Sequence, residues 1–430
     1  MKIKKIISNP KSSFFAIKQK IEFRLQLYQA KHKQLIALKK TKGRNPINCV
    51  FFALDSSIWK YDMIYRIMLD NSRFNPTILV CPIVNYGREN MLKKMEQCFC
   101  FFKDKGYNVI KSYNEEEDEY FDVRRLSPDI IFYTNPYRGF IDERYYITHF
   151  NDILTVYVPY FMNCSNVKGF SNNMPLHNLV WRKYVETDYE LQLAKIEQKR
   201  HGLNVVYTGY PGIEKLIDKK YKPEINPWKI KDGKLKKIIW APHHTIEKGC
   251  FGHTCFLEYC DFMIEMAKKY EGHVQFVFKP HPLLKNKLQI LWGIEKTNIY
   301  YATWESMANS SLCEDDYIDL FLTSDAMIHD SGSFIVEYLY VNKPVMRTIN
   351  DIPLSEMFNR FALDCFGQYY LSNAKEEVEQ FIQNVINDVD PLKEKRTQFV
   401  NDVLMPKGSP SQNIINDILD SIDNQILYRN

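Results

Sequence analysis

Residues 326–339, AMIHDSGSFIVEYL, decide the fold of this chain. The apolar run Ala326–Ile328 predicts a buried strand, a polar turn ends it, and the apolar stretch after Ser333 predicts a helix. Hydroxyl groups and a glycine at a helix start leave backbone N–H groups free at the positive end of the helix, which suits a phosphate or a diphosphate. The stretch therefore predicts a strand, an anion-binding turn and a helix in succession.

Two upstream segments follow the same pattern. Residues 238–241, IIWA, end in the turn PHHT, and residues 274–278, VQFVF, end in the turn KPHP. Because the carboxyl ends of parallel strands meet at one edge of a sheet, we expect the three polar turns to line one ligand cleft.

Composition bounds the class of protein. At 430 residues the chain is too long for one ordinary hydrophobic core, so two domains are expected. Only 16 residues are glycine, and neither GxGxxG nor the P-loop pattern occurs, which argues against dinucleotide redox chemistry and P-loop hydrolysis. No signal peptide and no apolar stretch of ~20 residues is recognisable, so a cytoplasmic location is expected.

The cysteines do not suggest a metal site. Most of the ten lie in apolar runs and are expected to be reduced and buried. Cys250, Cys255 and Cys260 lie near His253, but their spacing contains no CxxC pair. No metal is predicted.

The basic charge is confined to one arm. Residues 1–45 hold 13 lysines and arginines and one glutamate, and the whole chain carries +5, so the other 385 residues sum to −7. Nucleic acid is therefore not an expected partner. Apolar residues recur in the arm at helical spacing between lysines, after Asn9 as a cap and Pro10. Such a helix either lies on an anionic membrane surface or packs its apolar stripe on the body or on a partner.

Alternating apolar runs and amphipathic stretches predict an α/β protein with two doubly wound, mainly parallel sheets. The predicted parts are the basic helical arm 1–45, a Rossmann-like acceptor-side domain 46–212, a linker 213–236, a nucleotide-donor domain 237–390 and C-terminal helices 391–430. Strands of the donor domain are expected near 237–241, 274–279, 298–301, 326–329 and 344–346.

The turn after the second donor-domain strand holds the most specific candidates. Its two prolines make the turn rigid, so Lys279 can meet a phosphate as a point charge and His281 can donate to phosphate oxygens. His243, His244 and Thr245 are candidates for the same phosphate, with His244 and Thr245 favoured because adjacent side chains of an extended segment point to opposite sides. The alternative is that these histidines only cap or pack.

The opening stretch adds a further set of candidate phosphate ligands: His329, Asp330, Ser331, Gly332 and Ser333. The alternative is that they only cap the helix. Glu337 lies one turn after Ser333 on the same face, where a carboxylate can accept hydrogen bonds from ribose hydroxyls. In the first half, Asp55 follows a strand and is either the general base for an acceptor hydroxyl or a helix N-cap.

These motifs, in this order, resemble the CDP-glycerol glycerophosphotransferase family, which makes teichoic-acid and capsule polymers. The resemblance covers residues 204–350 and implies a GT-B architecture with two Rossmann-like halves facing a cleft and C-terminal helices that return to the first half. It also implies contact of His281 with donor phosphates, a diphosphate at the turn 331–333, and membrane association through the basic arm. Two departures are visible: the family's Trp-His-Gly-Thr stretch, which carries its presumed base, is absent, and its Thr-Asp-Tyr-Ser-Ser turn reads His-Asp-Ser-Gly-Ser here.

We therefore expect a transferase that moves glycerol or ribitol phosphate from a CDP-linked donor to a hydroxyl of a cell-surface glycan or lipid-linked acceptor, peripheral to the inner face of the membrane if the arm binds lipid. The expected catalytic residues are Asp55, His281 and His244, and no cofactor is expected beyond the nucleotide donor as substrate. Three alternatives stay open: a nucleotide-sugar glycosyltransferase of GT-B fold in capsule or lipopolysaccharide synthesis, a UDP-sugar 2-epimerase-like enzyme, and a non-catalytic scaffold.

Overall fold

The computed structural model describes residues 10–85, 87–231, 233–247, 254–314 and 316–429. They form two compact units. The first unit contains the described residues up to Tyr160, Lys168–Gly212, and the chain from Pro406 onward. The second unit contains Phe161–Val167 and Ile213–Met405.

The first unit is built on a parallel sheet of seven strands among the described residues, in the order β3-β2-β1-β6-β7-β8-β9. Long apolar strands such as INCVFFA are buried on both faces, as expected where helices cover a parallel sheet. A separate antiparallel hairpin, β4–β5, carries the acidic run 115–119, of which residues 115–118 form the turn. The strands are β1 (Ile47–Ala53), β2 (Phe74–Val80), β3 (Val109–Lys111), β4 (Tyr113–Asn114), β5 (Glu119–Tyr120), β6 (Ile130–Tyr133), β7 (Leu154–Tyr157), β8 (Arg182–Val185) and β9 (Val205–Tyr207).

Helices cover this sheet on both faces. They are α1 (Pro10–Thr41), α2 (Asp62–Leu69), α3 (Arg88–Asp104), α4 (Pro175–Leu179), α5 (Asp188–Glu197) and the C-terminal α16 (Pro410–Asp423). The second half of α1 packs on the unit: Ala30, Ala37 and Leu38 are buried, and Gln34 donates to the carbonyl of Leu179 over 2.7 Å. The predicted cap Asn9 lies outside the described residues.

The second unit has a parallel sheet of six described strands in the order β12-β11-β10-β13-β14-β15. In the centre, Trp240 of β10 is opposite Phe278 of β11, and Ala241 of β10 is opposite His329 of β13. This register brings the three predicted polar turns to one edge. The strands are β10 (Lys236–Ala241), β11 (Val274–Phe278), β12 (Ser310–Leu312), β13 (Ala326–His329), β14 (Val345–Thr348) and β15 (Tyr370–Ser372).

An aromatic core under this sheet fixes the carboxyl ends of β10 and β11. Trp240 stacks on Phe278 and Phe256 at ring-centroid distances of 5.1 and 5.7 Å, and Trp304 is fully buried against them. The helices of the unit are α6 (Glu214–Ile217), α7 (Phe256–Lys269), α8 (Leu284–Trp292), α9 (Ile294–Ser306), α10 (Ile318–Thr323), α11 (Phe334–Glu337), α12 (Leu354–Met357), α13 (Arg360–Phe366), α14 (Lys375–Ile386) and α15 (Lys393–Phe399).

The two doubly wound sheets confirm the predicted fold class, but several elements differ. The expected strand at 298–301 is wrong: these residues lie in α9, and the third strand begins at Ser310. A short apolar run such as IYYA fits a buried helix as well as a strand, and pattern alone does not separate them. β8 and β15 carry no apolar run that the pattern would detect.

The unit boundaries also differ from the expected domains. Residues 213–236, expected as a linker, belong to the second unit, where Trp228 donates to Thr323 over 2.8 Å. The expected C-terminal segment 391–430 divides: residues up to Met405 belong to the second unit, and those from Pro406 to the first.

The C-terminal helix α16 is anchored to the first unit by a buried ion pair. Arg182 of β8 is fully buried and donates from Nε to Asp417 over 3.0 Å and from Nη2 to Ser421 over 2.8 Å. Tyr184 and Arg429 also donate to Asp417, over 2.8 and 2.6 Å. Removal of the carboxylate would leave the Arg182 charge buried without its counterion.

We therefore expect the Asp417→Ala variant to lose about 3–5 kcal/mol of unfolding free energy, because an uncompensated buried charge remains. Urea unfolding followed by circular dichroism measures the loss. Asp420→Ala, which removes an exposed partner of Arg429 on the same helix, is the matched control and should unfold close to wild type. Equal midpoints for the two variants would contradict this account of the anchor.

Candidate functional site

The candidate site lies at the carboxyl edge of the second sheet. β11, β10 and β13 are neighbours, and the residues that directly follow them are Lys279, Pro242 and Asp330. The strand order reverses between β10 and β13, the position at which doubly wound sheets open a crevice for ligands. Three of the predicted turns therefore meet at the topological switch point.

Three histidines converge at this edge. The ring of His281 lies 4.2 Å from that of His244 and 4.9 Å from that of His243, and the rings of His243 and His244 are 4.3 Å apart. The backbone N–H of His281 donates to the carbonyl of Pro242 over 3.1 Å, which ties the two turns together. The predicted convergence of these side chains is therefore present within the second unit.

Local contacts set the tautomer of His281. Its Nδ1 accepts a hydrogen bond from the backbone N–H of Leu283 over 3.1 Å. The neutral ring consequently carries its hydrogen on Nε2. Burial is the main cause that lowers the pKa of His281 to about 3, and repulsion from the charges of Lys279 and Lys287, and from a protonated His244, adds to it. At neutral pH the ring is an uncharged N–H donor.

His244 and Thr245 complete the histidine turn. Burial, and then the charge of Lys287, lowers the pKa of His244, so this half-buried ring is also neutral. His243 is buried, and its Nδ1 lies 3.0 Å from the hydroxyl of Thr245. The hydroxyl of Thr245 thus orients the ring of His243.

Asp330 has a structural role, which corrects its prediction as a phosphate ligand. Its buried carboxylate accepts from the backbone N–H of His243 over 2.5 Å, from the hydroxyl of Thr254 over 2.6 Å and from the backbone N–H of Cys255 over 2.7 Å. A carboxylate committed to three donors joins separate segments, and its charge would repel a phosphate.

The turn after Asp330 leaves only part of the predicted ligand set accessible. Ser331 is buried, and its Oγ accepts from the backbone N–H of Ser333 over 3.2 Å, whereas Gly332 is half-buried and Ser333 exposed. The helix that follows, α11, has four residues and continues as a 3-10 turn over Tyr338–Val341. So short a helix has only a weak dipole, and the expected attraction of a phosphate by the helix dipole is therefore small.

His329 is buried within β13 and does not face a ligand, a second correction. Its Nε2 lies 3.3 Å from the hydroxyl of Tyr369. Burial, with Arg347 nearby, holds the pKa of His329 well below its usual range. Arg347 itself was missed by the sequence reasoning: it donates from Nη1 to the carbonyl of Ser331 over 2.9 Å. The sequence signal that could have identified it is a single arginine in an otherwise apolar strand.

Two further candidate ligands, Lys279 and Glu337, are buried and contact other parts of the protein. Lys279 is buried, and its Nζ donates to the carbonyl of Cys313 over 3.4 Å, on the side of β11 that faces β12. Glu337 is buried, and the hydroxyl of Tyr317 lies 3.5 Å from its Oε1.

Asp55 belongs to the other unit, where it has the capping role that the sequence offered as the alternative. Its Oδ1 accepts from the backbone N–H of Ser57 over 2.9 Å, and its Oδ2 pairs with Lys94 over 3.2 Å. A carboxylate held by a cap and a lysine is a poor general base.

The histidine cluster has the compactness of a metal site. One ligand atom from each of His243, His244 and His281 lies within 4.8 Å of the others. The tautomer of His281 opposes such a role, because its Nδ1 is occupied by the Leu283 N–H and its Nε2 carries the hydrogen. The candidate zinc ligands Cys250 and His253 lie outside the described residues.

Comparison with known proteins decides the family. The family model described as CDP-Glycerol:Poly(glycerophosphate) glycerophosphotransferase matches residues 192–420, more than half of the chain. The chain belongs to this family. It is therefore a transferase of the kind that moves a polyol phosphate from a CDP-linked donor, as the sequence predicted.

Solved structures show the same fold. The wall teichoic acid polymerase TagF, as a histidine variant, is similar with a TM-score of 0.56 and 14% identity, covering 96% of this chain and 97% of that one. A second TagF variant, soaked with CDPG, gives a TM-score of 0.54 at 14% identity over the same shares of the two chains. UDP-GlcNAc 2-epimerase from Neisseria meningitidis gives 0.53 at 15% identity, covering 87% and 99%.

At these identities the structural likeness concerns the fold alone. A comparison with curated proteins finds no match. Among the helices of the described residues, none is both long and apolar enough to cross a bilayer.

The depressed pKa of His281 predicts a specific titration. In the folded glycerophosphotransferase the ring should stay neutral from pH 5 to 8, with its hydrogen on Nε2, whereas in the unfolded chain it takes up a proton below about pH 6.5. This histidine therefore contributes a loss of stability as the pH falls below about 6.5. Nitrogen-15 NMR of histidine-labelled protein, assigned with His281→Gln, checks both points. A ring that titrates near neutral pH, or carries its hydrogen on Nδ1, would refute the assignment.

Proposed function

We propose that the second unit binds the diphosphate of a CDP-linked polyol at the histidine cluster and the exposed part of the turn after β13. The convergence of His243, His244 and His281 within 4.9 Å, beside a turn fastened to His243 through Asp330, carries this proposal. Nε2–H of His281 is a fixed donor for a phosphate oxygen, and Gly332 and Ser333 offer accessible backbone and hydroxyl groups.

The transfer of the polyol phosphate relies on the uncharged rings of His281 and His244 in a partly buried site. The acceptor oxygen forms a bond to the phosphorus that carries the polyol, the bond from that phosphorus to the CMP oxygen breaks, and CMP leaves with the electron pair. His281 donates to the phosphate oxygens as negative charge develops on the leaving group. His244, neutral and half-buried in the same cluster, takes the proton of the acceptor hydroxyl.

A CMP-release assay with CDP-glycerol or CDP-ribitol and a glycan or lipid-linked acceptor tests this function. His281→Ala should lower the turnover rate about 10²–10³-fold, because a donor to developing charge is lost. His273→Ala is the matched control, since His273 is exposed at the opposite end of β11. Transfer by both variants at the wild-type rate would contradict the proposal. Interconversion of free UDP-sugar without an acceptor would instead support the epimerase-like alternative.

We also propose that residues 21–28 of α1 dock on an anionic membrane surface at the inner face of the cell membrane. Ile21, Leu25 and Tyr28 follow one another at helical spacing and are 54, 56 and 74% exposed, whereas Ala30, Ala37 and Leu38 farther along the helix are buried. Lysines and arginines surround this stripe. The combination is typical of helices that lie in a lipid interface.

Vesicle co-sedimentation tests the docking. The double variant Ile21→Ser/Leu25→Ser should bind vesicles containing anionic lipid more than about tenfold more weakly than wild type, because two apolar side chains no longer enter the lipid. Ile196→Ser, at another highly exposed isoleucine of the same unit, is the control and should bind normally. Binding that is unchanged in the double variant would indicate that the stripe serves a protein partner.

A further inference from the structure

We propose that Arg347 is a positioning residue that holds the turn after β13 in its phosphate-binding form and compensates the charge of Asp330 beneath it. The inference rests on the proposed donor site. It adds a residue that contacts no substrate and acts through the turn.

The contacts of Arg347 place it directly behind the turn. Arg347 is opposite His329 in the pairing of β14 with β13, and its side chain is 1% exposed. Its guanidinium carbon lies 4.9 Å from the ring centre of Phe358 and 5.1 Å from that of Phe366, so two aromatic rings hold the plane of the group. Its Nη1 donates to the carbonyl of Ser331 over 2.9 Å. The guanidinium therefore fixes the peptide between Ser331 and the accessible Gly332, one residue after the buried Asp330.

Charge gives Arg347 a second effect. The Asp330 carboxylate is buried among uncharged donors from His243, Thr254 and Cys255. Burial raises the pKa of Asp330, and the Arg347 charge opposes that rise. Without the guanidinium, Asp330 would either present an uncompensated negative charge to a diphosphate or take up a proton and lose acceptor capacity. Both outcomes weaken the site.

A purely structural role does not account for a charge at this position. Among the described residues, Nε and Nη2 of Arg347 have no hydrogen-bond partner, so the charge is desolvated without being fully satisfied. An apolar side chain of similar volume between Phe358 and Phe366 would avoid that cost. The charge is explained by what it does to the turn and to Asp330.

Isothermal titration of the full-length protein with CDP tests the inference. Arg347→Met keeps the volume and removes the charge and the donor, and should weaken CDP binding at least about tenfold. Arg347→Lys keeps a positive charge and a donor, and should recover part of the loss. Arg396→Met is the matched control, because Arg396 is fully buried in the same unit but pairs with Asp390 and Asn342. It should lower the melting temperature while CDP affinity stays within about twofold of wild type.

The outcomes separate this inference from the proposed function. If wild-type protein does not bind CDP, the proposed donor site fails first. If wild type binds CDP and Arg347→Met binds it equally well, or if Arg396→Met loses as much affinity as Arg347→Met, the positioning role is refuted. A loss of CDP affinity in Arg347→Met but not in Arg396→Met, with partial recovery in Arg347→Lys, supports the positioning role.

Discussion

The candidate site depends on one buried carboxylate. Asp330 accepts three hydrogen bonds of 2.5 to 2.7 Å and so joins the end of β10, the start of α7 and the turn after β13. The turn after β13 is far in sequence from the other two segments, and the pairing of β10 with β13 brings it beside them. The histidine cluster and the accessible Gly332 and Ser333 are held in position because this carboxylate is hydrogen-bonded to three separate donors.

The site combines rigidly packed strand ends with uncharged hydrogen-bond donors. The aromatic core under β10 and β11 fixes the strand ends, and backbone contacts fix the tautomer of His281. Neutral ring N–H groups at a switch point can bind a diphosphate where burial opposes a charged imidazolium. The buried charge of Arg347 lies behind the turn, where it donates to the carbonyl of Ser331.

The sequence predicted the strand–turn–helix motifs, the two doubly wound sheets and the edge at which the site lies, because continuous apolar runs and prolines mark parallel strands and their turns. It did not predict which polar side chains of a turn face solvent. Asp330 and His329 were expected at the ligand, and both are buried, since their directions are set by the pairing of β13 with neighbouring strands. Arg347 was missed because its role arises from β14, which contributes no polar turn to the pattern.

A structure of the protein with CDP bound would test the central claim most directly. The account predicts a diphosphate oxygen within hydrogen-bond distance of His281 Nε2, with a second phosphate at Gly332 and Ser333 and with Asp330 still bound to His243, Thr254 and Cys255. A diphosphate bound elsewhere, with the histidine cluster empty or holding a metal ion, would contradict it.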